Sequence, residues 1–147
     1  MAVGFHAAET GGFFIAARNE ERAMNYLIVF IGGGIGAALR HGFNVGFARL
    51  LGTAFPYATL WENVSGSVAM GVLIALFAFR TGVPPHWQLF LTTGILGGYT
   101  TFSTFSLDVA ALYQRGELGL AALYVLLSVA LSIGGLFAGM AAVRQFA

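Results

Sequence analysis

From Met24 onward the chain alternates long apolar runs with short polar interruptions. The first run covers about Asn25 to Phe47, and Arg40 and His41 end its most apolar part. Leu51 to Pro56 reads as a turn, with Pro56 placed just before a new helix. A second run spans about Ala58 to Phe79 and stops at Arg80-Thr81-Gly82-Val83-Pro84-Pro85. The third extends from about Trp87 to Tyr113 and ends at Gln114-Arg115-Gly116-Glu117; the fourth covers about Leu118 to Val143. Each holds about 20 residues or more, enough for a helix to cross a hydrocarbon core of about 30 Å. The pattern predicts an all-α membrane protein of four transmembrane helices with both termini on one side. Residues 1–23 stand apart. Their apolar run Phe13-Phe14-Ile15-Ala16-Ala17 is too short to span, and the charges Glu20, Glu21 and Arg22 follow it, the reverse of a secretory signal. They are expected to be a disordered N-terminal tail or an overextended start, leaving 24–147 as a single four-helix domain.

The third run is not an ordinary span. Its middle reads Gly97-Gly98-Tyr99-Thr100-Thr101-Phe102-Ser103-Thr104-Phe105-Ser106. Glycine costs about 1 kcal/mol against alanine in a helix interior, so the Gly97-Gly98 pair predicts a break. A break frees backbone carbonyls that hydrocarbon cannot satisfy, and is tolerated where protein, water or an ion fills the gap. Phe102 and Phe105, three apart, share one helical face, and Thr100 and Thr104 share another. Two readings fit: a small-residue packing contact with two core phenylalanines, or an ion path.

Composition bears on that choice. The chain is 58% hydrophobic and 9% charged, with mean hydropathy +0.81, whereas a soluble domain carries about 25% charged residues. The 21 glycines suit close helix contacts in lipid, and Gly32 and Gly36 form a GxxxG face in the first span. A formal net charge of +1 makes no case for nucleic acid. With no cysteine there is no disulfide, thiolate metal site or cysteine nucleophile. His6, His41 and His86 show no metal-ligand spacing, and no constellation suggests an enzyme.

All seven basic residues are arginine. Arg80 and Arg144, with Arg18 and Arg22 of the tail, fall on the face bearing the termini; Arg40, Arg49 and Arg115 fall on the other. The positive-inside rule therefore gives a weak orientation signal. Such a chain can insert both ways and pair as an antiparallel, dual-topology homodimer; alternatively a single arginine, or the tail, decides the orientation.

Polar residues inside membrane spans are costly and usually functional. Thr59, Asn63 and Ser67 recur at i, i+4, i+8 in the second span, and Tyr124, Ser128 and Ser132 do so in the fourth. Every one can donate a hydrogen bond. Neither stripe carries a fixed charge, which suits a small, strongly hydrated anion that must be desolvated but not trapped. The positive edges of phenyl rings fit the same task. The competing reading is interhelical hydrogen bonding, worth roughly 0.6 to 2 kcal/mol per contact.

The segment 97–106 closely resembles the signature of the CrcB/Fluc family of fluoride-specific ion channels. The resemblance extends from Met24 to the C-terminus through Gly36-Ala37-Ala38-Leu39-Arg40, Thr59-Leu60-x-x-Asn63-x-x-Gly66 and Tyr124-x3-Ser128-x3-Ser132. It implies an antiparallel, dual-topology homodimer in the cell (inner or plasma) membrane, surrounded by lipid. Such a dimer has two fluoride pores and a structural sodium ion at its centre that is not transported. By the same resemblance Phe102 and Phe105 present ring edges to fluoride, Asn63 lines the pathway as an amide donor, and Tyr124, Ser128 and Ser132 form its polar track. The backbone carbonyls of Gly97 and Thr100 would hold the sodium, two from each subunit. Arg40 and Thr59 are vestibule candidates.

Glu62 departs from the family pattern, which more often has an apolar or small residue before the motif asparagine. One helical position is about 100° of rotation, so Glu62 is expected to point away from the stripe of Asn63, pairing with a surface arginine or staying protonated. Asp108 is expected at a vestibule or an inter-subunit polar contact. The alternative function is a small proton-coupled multidrug-type exporter of the same size and dual topology. Such a protein needs a carboxylate in its first span, and this one has none there.

Overall fold

The computed structural model describes residues 5–80 and 82–146, with side chains from residue 19 onward. All regular structure among these residues is helical. The order is α1 (Phe5–Leu51), α2 (Tyr57–Phe79), α3 (Pro85–Leu89), a π-helical segment (Phe90–Leu96), α4 (Gly97–Tyr99), α5 (Phe102–Gln114) and α6 (Leu118–Arg144). Helices α2 and α6, together with the Asn19–Leu51 part of α1, are each long and apolar enough to cross a membrane.

The turns lie where sequence chemistry puts them. Helix α1 ends at Leu51, followed by Gly52 at φ +74°, and α5 ends at Gln114, with Gly116 at φ +77°. Both are left-handed positions that glycine adopts without steric cost. Helix α2 starts directly after Pro56. At its other end α1 continues upstream of Met24 as far as Phe5.

The break in the third run is also displaced. Gly97 is helical, at φ −63° and ψ −35°, and α4 runs through both glycines. The extended residues come later, at Thr100 (φ −82°, ψ 155°) and Thr101 (φ −153°, ψ 123°). The glycines serve another purpose. A Cβ on Gly98 would run into the Gly33 carbonyl oxygen and lie 2.9 Å from Gly33 Cα, and one on Gly36 would meet the Ile95 carbonyl. One on Gly32 would lie 2.9 Å from both Gly94 Cα and the Phe90 oxygen. Bare backbone on both sides thus lets α1 press against the π-helical segment and α4. Before the glycines, the Thr92 hydroxyl donates to the Gln88 carbonyl at 2.7 Å, a local bond that competes with the regular ladder where the helix widens.

Helix α2 packs along α6 over most of its length. Gly71 and Gly139 make this possible, since a Cβ at either would strike the facing backbone, at Leu136 and Val68 respectively. A compact cluster of Phe105, Leu112, Ala121 and Tyr124, flanked by Phe55, Leu60, Val109 and Val125, joins α5 to α6. Much of the remaining surface carries large exposed apolar side chains, among them Phe30, Leu50, Trp61, Leu126 and Phe137, as lipid-facing helices require.

These contacts predict that Gly36→Ala and Gly71→Ala each force backbones apart. Both should lower the thermal midpoint of the purified protein, by an amount corresponding to about 1–3 kcal/mol. Gly119→Ala, where a Cβ meets nothing within 4 Å, should leave the midpoint unchanged or raise it slightly.

Candidate functional site

Helix α2 carries Asn63 on the face that meets the break. Its Nδ2 donates to the Thr101 carbonyl at 3.0 Å, and the Thr101 amide donates to Asn63 Oδ1 at 2.8 Å. One carboxamide thereby holds both backbone groups of an extended residue. In an unbroken helix the Thr101 amide would bond the carbonyl of Gly97. Thr101 in turn caps α5: the Thr104 amide donates to Thr101 Oγ1 at 3.2 Å, as at a standard helix N-cap. That amide would otherwise bond the carbonyl of Thr100. Ser103 and Thr104 hydroxyls complete the knot at 3.2 and 3.1 Å from Thr101 Oγ1.

Beside this knot lies an open groove of about 450 Å³, lined among others by Asn63, Ser67, Thr100, Thr101, Phe102, Phe105, Ser128 and Ser132. It brings together residues from α2, α5 and α6 and the break between α4 and α5. The two phenyl rings stand 5.4 Å apart, centroid to centroid, tilted by 43°. Phe105 is 9% exposed and anchored in the core, whereas Phe102 is 78% exposed at the edge of the groove. The hydroxyls of Ser128 and Ser132 are buried with no hydrogen-bond partner. A buried hydroxyl without a partner costs about 1–3 kcal/mol, so these two donors are held ready for an acceptor.

Five of the six residues expected along the fluoride path therefore line one groove: Asn63, Phe102, Phe105, Ser128 and Ser132. Tyr124 does not line it. It is fully buried behind Phe105, with ring centroids 5.3 Å apart, and Phe55 meets its ring edge-on at 5.6 Å. Its hydroxyl donates to Asp108 Oδ2 at 3.1 Å, so its polar end turns toward a second cleft. Thr59 and Asp108 line that cleft with Asn44 and Arg115, at the end of the bundle where α1, α2 and α5 finish or begin. Arg40 lines neither cavity; its carbonyl accepts from Asn44 Nδ2 at 3.0 Å. Of the proposed cation ligands, Thr100 lines the groove and Gly97 lies one turn earlier, exposed on the outer side of α4.

Glu62 turns inward, toward α1 rather than toward the break that Asn63 faces. It is 0% exposed, and its Oε1 accepts from Asn44 Nδ2 at 2.7 Å, while Oε2 has no partner. No arginine pairs with it: the one ion pair among the described residues is Arg115–Glu117, at 2.7 Å. Asn44 takes the place expected for a surface arginine because α1 and α2 lie close enough for a short neutral amide to reach. Thr101 and Asn44 were not singled out from the sequence. Threonine is a favoured N-cap residue, and the place of Thr101 directly before the apolar-periodic run that starts at Phe102 is a helix-start signal that could have marked the first. Nothing local marks the second.

A family model described as CrcB-like protein, Camphor Resistance (CrcB), matches residues 27–140. The chain belongs to the CrcB family. Among its relatives is a protein of Rhodopseudomonas palustris (strain BisB5) named fluoride-specific ion channel FluC, 64% identical over 121 residues, which are 82% of this chain and 98% of the relative. A second, from Nitrobacter hamburgensis and named fluoride-specific ion channel FluC 2, is 60% identical over 122 residues, 83% and 98% of the two chains. A third, named fluoride-specific ion channel FluC and from Methylobacterium nodulans, is 57% identical over 123 residues, 84% and 98% of the two chains. With three apolar helices of membrane-crossing length, this CrcB-family chain is a multi-pass protein of the cell membrane.

The Asn44–Glu62 contact yields a stability prediction. Asn44→Ala leaves both Glu62 oxygens without a partner and should destabilise the purified protein by about 1–3 kcal/mol, read as a lowered thermal midpoint. Glu62→Gln keeps an acceptor for Asn44 and should be tolerated. Equal midpoints for the parent and Asn44→Ala would show that the contact contributes nothing.

Proposed function

We propose that this protein is a fluoride-specific channel giving passive fluoride efflux, which lowers cytoplasmic fluoride and protects the cell from it. The observation that carries this reading is the groove itself: two buried, partnerless serine hydroxyls line it together with a pair of phenyl rings, with no charged side chain among the lining residues. Fluoride is small and strongly hydrated, and a path through lipid must replace its water with donors. Ser128 and Ser132 supply O–H donors. Phe102 and Phe105 supply positive ring edges. Asn63 spends one amide hydrogen on Thr101 and has a second to offer the groove. The family and the names of its relatives point the same way, and nothing among these observations favours the proton-coupled exporter.

The same reading makes the chain one half of an antiparallel, dual-topology homodimer in which the α3–α5 region completes a fourth, interrupted crossing. The outward exposure of Phe102 and of Gly97 supports it, because both would be covered by a second copy. A structural sodium ion would be held by the Gly97 and Thr100 carbonyls. The residues fit that role: the amides that would engage these oxygens in a continuous helix are bonded elsewhere, and hard cations take oxygen ligands. When bound, the ion supplies positive charge to carbonyls that lipid could not satisfy. Arg40, Thr59 and the cleft beside Asp108 would form the vestibule, and Tyr124 would support the track from behind Phe105.

Reconstituted in liposomes loaded with fluoride, chloride or nitrate, the protein should release fluoride rapidly under an electrical driving force and retain the other two. Phe105→Ile and Phe102→Ile should each slow fluoride release by at least about tenfold, ~1.4 kcal/mol of barrier, while the protein still elutes as a folded species. Parent-like release by both variants would remove the phenyl rings from the pathway.

Orientation is checked separately. A tag on the C-terminus, probed from each side of intact membranes, should be accessible in two populations. A single orientation would exclude the antiparallel dimer.

A further inference from the structure

We propose that Asn63 and Thr101 are the positioning residues of the cation site: by taking up two backbone amides, their side chains hold the Gly97 and Thr100 carbonyls free to bind a cation. This rests on the sodium reading given above. A continuous helix would close Gly97 C=O with the Thr101 amide and Thr100 C=O with the Thr104 amide. Here the first amide goes to Asn63 Oδ1 at 2.8 Å and the second to Thr101 Oγ1 at 3.2 Å. Side chains of exactly two residues therefore intercept the two donors that would silence the two oxygens.

The interception is held in place. Asn63 also donates to the Thr101 carbonyl at 3.0 Å, so its carboxamide cannot rotate without losing two bonds. Thr101 is 8% exposed, and its extended backbone prevents α4 and α5 from merging. Opposite the break, α2 presents Gly66, where a Cβ would collide with Thr100 Cγ2 and lie 3.3 Å from Tyr99 Cδ1. A bare backbone at Gly66 lets Thr100 sit this close to α2, and the next residue, Thr101, bonds Asn63. The role differs from that of a pore donor. Asn63 would act on the cation through the backbone, and would govern the groove and the cation site at once.

The two roles separate experimentally. Full-length protein is purified in N-methylglucamine buffer and titrated with sodium chloride, reading the sodium concentration that gives half-maximal thermal stabilisation; choline chloride controls for ionic strength. The parent should show a saturable stabilisation by sodium. Asn63→Ala and Thr101→Val, which release one amide each, should raise the half-saturating concentration by about tenfold or more, ~1.4 kcal/mol. Thr101→Ser, which keeps the hydroxyl, should stay near the parent. Fluoride efflux from liposomes is measured on the same samples. If Asn63→Ala does not yield folded protein, the Thr101→Val and Thr101→Ser pair decides the question by the same titration. A parent-like sodium midpoint in Asn63→Ala or in Thr101→Val overturns the proposal, and for Asn63→Ala it would assign any lost efflux to direct contact with the anion. A parent unresponsive to sodium overturns the sodium reading itself, and the two failures are thereby distinguished.

Discussion

Two hydrogen bonds between the Asn63 carboxamide and the Thr101 backbone hold together what would otherwise be an untenable arrangement. An extended pair of residues inside an apolar bundle exposes peptide groups that lipid cannot solvate, at several kcal/mol each. A side-chain amide is well matched to such a residue, because it carries one donor and one acceptor side by side. With Thr101 pinned to α2, its hydroxyl is placed to cap α5, and α5 in turn sets Phe102 and Phe105 along the groove. Remove the pinning, and cap, groove and carbonyl exposure all lose their reference point.

Glycine supplies the complementary constraint. Helix α1 can support the interrupted region only at backbone distance, since a Cβ at Gly32, Gly36 or Gly98 would collide with main-chain atoms of the opposing segment. In lipid there is no hydrophobic gain from pressing helices together, so this proximity and the dispersion contacts it allows are the main source of cohesion. The α2–α6 pair uses Gly71 and Gly139 in the same way. The fold is therefore built of close backbone contacts, with one small side-chain cluster around Tyr124 and Leu112.

Polar groups are distributed with matching economy. Asn44 satisfies one oxygen of Glu62, and Tyr124 donates to one oxygen of Asp108, which leaves these two carboxyl groups tied to neutral donors away from the groove. Ser128 and Ser132 are left with no partner, and they share the groove with the phenyl rings. The contrast matters for the proposed function. Carboxylates are turned aside where they would repel an anion, and spare donors are kept where an anion would need them.

Much of the chain was legible without coordinates. Apolar runs long enough for lipid, glycine and proline at the turns, and hydroxyl stripes at helical spacing all depend on local composition, and the helices α2 and α6 begin and end within a residue or so of where they were expected. That Ser128 and Ser132 share one helical face, and Phe102 and Phe105 another, follows from spacing; that the two pairs meet each other and Asn63 was implied only by the family resemblance. What the sequence could not place was the break. Gly97-Gly98 is the weak point by intrinsic propensity, yet both stay helical, Gly98 with its bare backbone against Gly33 of α1, and a long-range bond from Asn63 places the interruption at Thr100-Thr101. Tyr124 and Glu62 tell the same story. Their helical faces followed from spacing, but only the packing of α1, α2 and α5 around them decided that one hydroxyl would turn to Asp108 and one carboxyl to Asn44. Periodicity is a property of one helix, whereas a hydrogen-bond partner is a property of two.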